Sequence, residues 1–429
     1  MRLAIIGGGP AGLSLAKILE SESAVTATVF EADGRPGGKS LTIRPGRAPI
    51  EMGTCYLTAS HRRVLRWMKE MGTPLRPLGE QVFDGADVIR YIRKGSGPAM
   101  PVQVLTYLRE RGALLRRLEW PSPPQSTLDE AAMPIREWLE RRGLGKMVRL
   151  MQRAVTTLGY GYLERIPTMH ALRWVDRELI VSGMLKQLKM PTTGWTDFWS
   201  GLSEDFDLRL NARVDAISRG RNHVTIHSGG TSERFDAVAC AMPVDEFTRL
   251  LDGASELERD ISDAVVWGRL AITLIAAEGW FCDHPVEAWS DALVPQSRAG
   301  RLLSARFEGY EPELGGHLYI TGQYGNALEP DELVETLHGE IAAFGARITN
   351  VIMHRTWKYM ATYAPHAIRS GLVAKMRAVQ GRNMTFYTGA AFSHEAVSNI
   401  VEFNAQLARN IVEAASRGFA EPSLDIAAE

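Results

Sequence analysis

The glycine-rich stretch IIGGGPAGLSLAKILE, near the start of the chain, constrains the fold more than any other feature of this sequence. It places Gly7, Gly9 and Gly12 at GxGxxG spacing after the aliphatic run LAII, and apolar residues then recur at helical spacing. The first glycine permits a tight turn, the second lets a pyrophosphate approach the backbone, and the third lets the helix pack on the strand. Pro10 and Ala11 open a helix whose N-terminus faces the phosphates. The pattern predicts the first β–α unit of a dinucleotide-binding domain.

A second predicted strand, TATVFEA, ends at Glu31 and Ala32. The glutamate lies near the separation of roughly 20 residues at which an acidic side chain meets the ribose hydroxyls. The following EADGRPGGKS supplies Arg35, Gly38 and Lys39. It resembles the extension found in FAD-dependent enzymes of the glutathione-reductase and amine-oxidase superfamily, where backbone N–H groups and a basic residue meet the phosphates. Read alone, RPGG is more often an ordinary turn, but in this position it favours FAD.

Two later segments agree with a discontinuous FAD site. In the superfamily that the motif resembles, the equivalent of Val214 lies against the adenine. The segment NMTFYTGAAFSHEAVSNIV predicts a strand, a turn at Gly389 and a helix that includes Val397, with its N-terminus facing the isoalloxazine ring. The superfamily commonly has an acidic residue after this glycine, and here Ala390 takes its place. No SGGC-like segment suggests covalent attachment, so we expect non-covalent FAD.

Composition excludes several other functions for the 429 residues. A formal net charge of -1 gives no case for a nucleic-acid binder. Cys55, Cys240 and Cys282 lie far apart, which predicts neither a disulfide framework nor a metal site and fits a reducing cytoplasm. The strand RLAII directly follows Met1 and no long apolar run occurs, so we expect a soluble cytoplasmic protein that at most contacts a membrane surface.

The order of these segments predicts an α/β fold with a Rossmann-like FAD-binding domain, an inserted α+β substrate domain and a helical cap. The FAD-binding domain is expected to be discontinuous, over residues 1–59, 195–244 and 350–418. The intervening residues 60–194 follow helical periodicity, and residues 245–349 carry several β-like runs. We expect the active site between the domains, facing the flavin. A second GxGxxG after another strand is absent from the sequence, which disfavours a separate NAD(P)H domain.

Several further stretches resemble one branch of the flavin amine oxidase superfamily, the bacterial polyunsaturated fatty acid (linoleate) isomerases. They are EMGTCY, which contains Met52 and Gly53, TTLGYGYLERIP, LRWVD, TWKYMATYAPH and VQGRNMTFYTG. The resemblance implies that Met52 and Gly53 belong to the cofactor site. It also implies an enzyme in which FAD takes a hydride from an allylic carbon and returns it elsewhere on the same chain. A double bond in a hydrophobic polyunsaturated substrate then moves without net oxidation.

The sequence departs from that family where the fatty carboxylate is held. The family's arginine position falls within GEQVF at 79–83, and its aromatic position falls on Gly183. Both contacts are therefore expected to be absent, unless Arg76 or Arg90 replaces the arginine. This predicts a substrate that is bulkier, tethered or polar elsewhere.

Aromatic residues are the first candidates for the reaction site. Tyr160 and Tyr162, in GYGY, are expected to border the flavin, and Trp174 to line the substrate tunnel. Trp357 and Tyr359 precede the last flavin-binding segment, where related amine oxidases place ring-facing aromatics. For Tyr160 and Tyr162, the alternative is an ordinary core position with a satisfied hydroxyl group.

His366, after Pro365, is a candidate for proton transfer if the reaction is a dehydrogenation. His394 is expected near the flavin, and a catalytic role for His170 is weighed against the commoner structural one. The main alternative function is an FAD-dependent oxidase or dehydrogenase of an amine or a C–C bond, for which Lys358 is the candidate lysine that holds a water. An FAD-bound scaffold is the non-enzymatic alternative.

The basic run LRERGALLRRLEW, residues 108–120, is most simply the solvated face of an amphipathic helix. Contact of this run with a membrane surface is the alternative, because leucine, tyrosine and tryptophan residues accompany its arginines. The sequence does not determine the oligomeric state.

Overall fold

The computed structural model describes residues 1–96, 99–295, 299–325 and 328–417. Its strands, in chain order, are β1 (Arg2–Ile6), β2 (Thr26–Phe30), β3 (Thr42–Ile43), β4 (Ile50–Glu51), β5 (Leu75–Pro77), β6 (Gln81–Phe83), β7 (Ala86–Asp87), β8 (Lys189–Pro191), β9 (Asp207–Arg209), β10 (Val214–Arg219), β11 (Val224–Ser228), β12 (Thr231–Phe235), β13 (Ala237–Cys240), β14 (Leu251–Asp252), β15 (Val265–Glu278), β16 (Val286–Ala288), β17 (Leu302–Glu311), β18 (Gly316–Tyr324), β19 (Arg347–Tyr363) and β20 (Thr385–Tyr387).

The helices of the same structure are α1 (Pro10–Glu20), α2 (Arg62–Glu70), α3 (Val88–Ser96), α4 (Met100–Leu118), α5 (Gln125–Ala132), α6 (Ile135–Arg141), α7 (Val148–Val155), α8 (Thr168–Trp174), α9 (Arg177–Met184), α10 (Trp195–Leu202), α11 (Val244–Leu250), α12 (Glu256–Ala264), α13 (Pro330–Ala343), α14 (Pro365–Arg369), α15 (Leu372–Ala378) and α16 (Val397–Arg417). Within the described ranges, none of them is long and apolar enough to cross a bilayer.

A parallel five-stranded sheet, in the order β20-β13-β1-β2-β9, forms the nucleotide-binding unit. Its central strand β1 is aliphatic and buried because helices and strands cover both of its faces, as parallel sheets require. Helices α1 and α16 pack against each other beside this sheet. A smaller sheet, β12-β11-β10-β14, lies next to it in the chain. The predicted Rossmann-like α/β class is confirmed.

The third glycine of the opening motif allows α1 to pack closely on the turn after β1. A Cβ added at Gly12 would lie 2.0 Å from the carbonyl oxygen of Gly7, so α1 packs on the preceding turn at a distance that only glycine allows. Gly7 itself has a φ of +112°, a conformation that L side chains rarely adopt. Strand β1 therefore ends in a tight turn that leads directly into α1.

A mixed seven-stranded sheet, in the order β19-β15-β18-β17-β16-β6-β7, forms the second unit. Its long antiparallel strands β15 and β19 pair from Val265 with Tyr363 to Glu278 with Arg347. Residues 350–363, predicted as part of the FAD-binding domain, therefore belong to this sheet, because β19 runs through that boundary without a break. Residue 418, the last of that predicted segment, lies outside the described residues.

The region 60–194 is mostly helical, from α2 to α9, and it covers one side of the molecule. Its β6 and β7 nevertheless join the edge of the seven-stranded sheet through the parallel pairing of β6 with β16. In the basic run 108–120, Leu114 and Leu118 are buried and Arg117 pairs with Glu130. This run belongs to a helix that packs on the core through these two leucines, and its contact with a membrane surface stays a prediction.

The close approach at Gly53 yields a stability prediction. A Cβ added there would lie 1.9 Å from the carbonyl oxygen of Lys39, and a backbone atom cannot give way as a side chain can. We expect Gly53→Ala to lower the free energy of unfolding by about 1–3 kcal/mol and to reduce the flavin content of the purified protein. Denaturant unfolding and flavin absorbance measure both effects.

Gly339→Ala is the matched control, since a Cβ added to this exposed residue of α13 meets nothing within 4 Å. Alanine there should be neutral or stabilise by about 0.5–1 kcal/mol. An equal change in the free energy of unfolding and in the flavin content of the two variants would contradict the packing described at Gly53.

Candidate active site between the two sheets

A cavity of about 600 Å³ extends from the glycine-rich turn after β1 to the face of the seven-stranded sheet. Most of the predicted cofactor-binding residues line it, although they come from distant parts of the sequence. These residues are Gly7, Gly9, Pro10, Ala11, Glu31, Gly38, Lys39, Met52, Gly53, Gly389, Ala390 and Val397. The structure therefore brings the separate nucleotide motifs together at one end of the cavity.

The nucleotide end of the cavity has the features of an anion site. Helix α1 begins after Gly9 without a side-chain cap, which leaves its first N–H groups directed at the cavity. A Cβ added at Gly9 would meet only the Cα of Gly38, at 3.9 Å, so the space over this turn is open to a phosphate group. The Glu31 carboxylate lines the same space and accepts a hydrogen bond from the Gly8 N–H at 2.7 Å. These residues fit a bound dinucleotide.

A second helix N-terminus faces the same cavity. Val397, the first residue of α16, lines it, and a Cβ added at Gly389 would lie 3.6 Å from the Cβ of Ala11. Buried Asn404 of α16 donates hydrogen bonds to the Ala11 carbonyl at 2.7 Å and to the Ser14 hydroxyl at 2.8 Å. The two helix starts are thus held side by side, and each favours negative charge.

Four predicted cofactor residues do not line the cavity: Gly12, Ala32, Arg35 and Val214. Gly12 packs against the turn at Gly7, as described above. Arg35 donates to the carbonyls of Pro36 and Gly38, so it stabilises the turn that carries Gly38. Val214 is buried on β10. Contact of these four residues with a cofactor stays a prediction.

An aromatic cluster forms the middle of the cavity wall. Tyr160 stacks on Tyr359 with ring centroids 5.6 Å apart and meets Trp174 edge to face at 5.5 Å. The Trp174 ring stacks on His394, and burial lowers the pKa of His394 to about 3. Burial also raises the pKa of Tyr160. The cluster is therefore rigid and uncharged, with Tyr160, Trp174 and Tyr359 reaching the cavity.

The remaining sequence candidates fall in different places. Trp357 lines the cavity and donates from its indole N–H to the Met52 carbonyl at 2.9 Å. Tyr162 packs against Tyr324 and does not line the cavity. His366 is exposed on α14, outside the cavity, which does not support the predicted proton transfer. His170 is buried and accepts a hydrogen bond from the Tyr363 N–H at 3.0 Å, a structural role.

Both lysines that line the cavity are bound to carboxylates. Lys358 Nζ lies 2.6 Å from Asp245 Oδ2 and 2.9 Å from Glu246 Oε1. Lys39 pairs with the buried carboxylate of Glu395, whose other oxygen accepts the Met360 N–H at 2.9 Å. Both ammonium groups are thus held by carboxylates, and a role of Lys358 in holding a water beside the flavin stays a prediction.

The substrate end of the cavity is mainly apolar and contains two arginines that the sequence reasoning missed. Arg306 donates to the Cys55 sulfur at 2.8 Å and to the Glu51 carbonyl at 3.0 Å, and it pairs with Glu308. Its charge is therefore matched by a carboxylate within the protein.

Arg153, on α7, has only uncharged partners in the described part of the chain. It donates to Gln81, and it lies beside the hydroxyl of Tyr56. Burial raises the pKa of Tyr56, and the Arg153 guanidinium offsets only part of that rise. Arg76 and Arg90, the predicted replacements for the family arginine, are exposed and do not line the cavity. Arg153 is thus a cavity cation with no carboxylate partner in that part of the structure.

Glu51 is a buried carboxyl group in the cavity wall. Burial raises its pKa to about 7, although the Trp195 N–H at 3.0 Å and the Thr42 hydroxyl at 3.0 Å donate to its Oε1. Between the unfolded-state pKa near 4.5 and about 7, the folded state binds a proton that the unfolded state releases. Stability contributed by this group is therefore complete at low pH and is lost as the pH rises through that window.

Glu51→Gln should remove this pH dependence because the amide oxygen can still accept both hydrogen bonds. The free energy of unfolding of the native protein should fall, relative to the variant, by the order of 3 kcal/mol between about pH 5 and about pH 8. Denaturant unfolding of both proteins at the two pH values measures the difference. A constant difference across that range would show that Glu51 has an ordinary pKa.

A family model described as flavin containing amine oxidoreductase matches residues 10–364. Among curated proteins, the chain is 27% identical over 263 residues to a putative flavin-containing monoamine oxidase of Mycobacterium tuberculosis, a match that covers 56% of each protein. It is 29% identical over 145 residues to a flavin-containing amine oxidase of Oncorhynchus mykiss, which covers 30% of this chain and 27% of that one. The chain thus spans little more than half of the first relative's length.

Solved structures share the fold over nearly the whole chain. A CLA-producing fatty acid isomerase from P. acnes superposes with a TM-score of 0.83 at 20% identity, over 95% of this chain and 98% of that one. Cyclohexylamine oxidase from Brevibacterium oxydans gives a TM-score of 0.66 at 16% identity, over 97% and 99% of the chains. The family model covers most of the sequence, the two-sheet fold is shared, and the residues at the nucleotide end fit a dinucleotide. The chain therefore belongs to the flavin containing amine oxidoreductase family of enzymes.

Proposed function

We propose that this enzyme, with FAD bound at the nucleotide end of the cavity, moves a double bond in an apolar polyunsaturated substrate that carries an acidic head group. The observation that carries the proposal is the distribution of charge in the cavity. Each lining lysine is neutralised by carboxylates, the substrate end is mainly apolar, and Arg153 has no carboxylate partner in the described structure. The higher TM-score of the fatty acid isomerase than of the amine oxidase supports the same choice.

Charge disfavours the alternative, oxidation of an amine. A protonated amine entering the substrate end would meet the positive charge of Arg153 in a region of low dielectric, where like charges repel strongly. An acidic head group would instead gain a charge-assisted hydrogen bond from the same guanidinium. Sequence similarity to amine oxidases keeps oxidation as the second candidate. The cavity continues beyond the nucleotide end to the apolar face of the seven-stranded sheet, which disfavours the scaffold alternative.

Bound FAD supplies a hydride acceptor and donor for this chemistry. The protein positions the unsaturated chain and keeps water away from it. Leu270, Ile272 and Ile320 form an apolar wall of the cavity on the seven-stranded sheet. Such a wall keeps water away from the reacting carbons. The stacked rings of Tyr160 and Tyr359 offer aromatic faces that stabilise positive charge developing on the substrate.

Arg153 would set the register of the chain relative to the flavin. A carboxylate bound by Arg153, with the Tyr56 hydroxyl beside it, fixes one end of the substrate, and the distance along the chain then selects which carbon reaches the flavin. Internal transfer of hydride requires no general base. This agrees with the neutral state of His394, whose pKa burial lowers to about 3.

The proposal is tested by mixing the purified holoenzyme anaerobically with linoleate, a panel of other polyenes and a panel of amines. Product mass and flavin absorbance are followed. A product of unchanged mass with a shifted double bond, and a flavin that is oxidised at the end, is the expected result. A product two hydrogens lighter, with loss of flavin absorbance, would establish an oxidase or dehydrogenase instead.

Arg153→Gln should raise the KM for an acidic substrate by about 10-fold to 100-fold, because a hydrogen bond to a charged group is lost. The KM for the methyl ester of the same substrate should change little. Arg76→Gln is the matched control, since Arg76 is exposed on β5 and does not line the cavity. Steady-state kinetics with acid and ester provide the measurement, and an equal loss on both substrates would argue against head-group binding by Arg153.

A further inference from the structure

A narrow cleft of about 30 Å³ lies between α3, α7 and α9. Ile89 and Ile92 line it from α3, and Gly183 and Met184 line it from α9. Arg153 lines both this cleft and the main cavity, so its side chain separates the two. Met184 is also 37% exposed, so one residue of the cleft wall extends to the protein surface. Gly183, where the related isomerases have an aromatic residue, leaves the cleft wall without a side chain.

One side of the cleft mouth carries an exposed apolar stripe. Val181, Met184 and Leu185 follow the i, i+3, i+4 spacing of one helical face at the C-terminal end of α9. Val181 is 41% exposed and Leu185 is 60% exposed. Exposed apolar side chains grouped on one face mark an interaction surface more often than a solvated one.

The other side of the mouth carries an exposed basic stripe. Arg90, Arg93 and Lys94 stand at i, i+3 and i+4 on the outer face of α3. None of their charged groups has a carboxylate partner within residues 1–96, 99–295, 299–325 and 328–417. The acidic side chains nearest in the chain, Asp87 and Asp84, have other partners. Asp87 pairs with Lys186, and Asp84 accepts hydrogen bonds from the N–H and the hydroxyl of Ser290.

We propose that this face, made of Arg90, Arg93, Lys94, Val181, Met184 and Leu185, docks on an anionic lipid surface. Each cationic side chain near an acidic lipid surface raises the partition coefficient of the protein onto that surface roughly fivefold. The apolar stripe enters the head-group region. The cleft then opens directly onto the lipid, and an apolar chain enters the cavity when the Arg153 side chain turns aside. The identity of that chain rests on the proposed function, whereas docking does not.

The test is sedimentation of the holoenzyme with vesicles of phosphatidylcholine, with and without phosphatidylglycerol. We expect binding to the phosphatidylglycerol vesicles that weakens with salt. Binding should fall about tenfold or more for the triple variant R90Q/R93Q/K94Q and also for V181S/L185S. Circular dichroism and flavin content confirm that the variants are folded.

The triple variant R213Q/R221Q/R234Q is the charge-matched control. These three exposed arginines lie just before β10, in the turn between β10 and β11, and on β12. The net charge therefore changes equally while the proposed face stays intact. It should bind vesicles as the native protein does. Equal loss in both triple variants, or equal binding to vesicles of pure phosphatidylcholine, would overturn the proposal.

Light scattering separates docking on lipid from association of two copies through the same face. A dimer that V181S/L185S converts to a monomer, together with no vesicle binding by the native protein, would overturn the proposal. Because sedimentation needs no turnover, vesicle binding without double-bond migration would leave docking in place and refute the proposed function. Double-bond migration without vesicle binding would refute docking and leave the proposed function in place.

Discussion

The contact of α1 with the turn after β1 is the constraint on which the rest of the site depends. A Cβ at Gly12 would lie 2.0 Å from the Gly7 carbonyl oxygen, so the helix start is placed by backbone packing rather than by side chains. Buried Asn404 then joins α16 to this helix. Two helix N-termini consequently face one cavity and favour the phosphate and flavin ends of a dinucleotide.

The two ends of the cavity differ in how their charged side chains are paired. Lys39 with Glu395 and Lys358 with its two carboxylates leave little net charge where a flavin ring would lie. Arg153 is half-buried, and an unpaired cation that loses part of its hydration is costly. Without a carboxylate partner in the described chain, this residue is therefore the exception that needs a function. An acidic head group on the substrate would supply the missing partner, which connects the electrostatics of the fold to the choice of substrate.

The parts of the site that local sequence encodes were predictable, and those that depend on long-range packing were not. The glycine motif, Glu31 and the turn at Gly389 are predicted by their spacing in the sequence. The pairing of Lys39 with Glu395 joins residues 356 positions apart, and that of Arg153 with Gln81 joins residues 72 apart, so no local pattern indicates them. His366 shows the converse, since it follows β19 closely in sequence but lies exposed on α14, which does not line the cavity. The uninterrupted β19 likewise contains no turn residue that would have revealed its true extent.

The most direct test of the account follows the transferred hydrogen. Linoleate deuterated at the carbon between its double bonds would be converted anaerobically in ordinary water, and the product analysed for the position and content of the label. The account predicts that deuterium is retained and appears at a new carbon of the same chain, because the apolar cavity excludes solvent and the hydride returns internally. Loss of the label to water, or a product lacking two hydrogens, would contradict it.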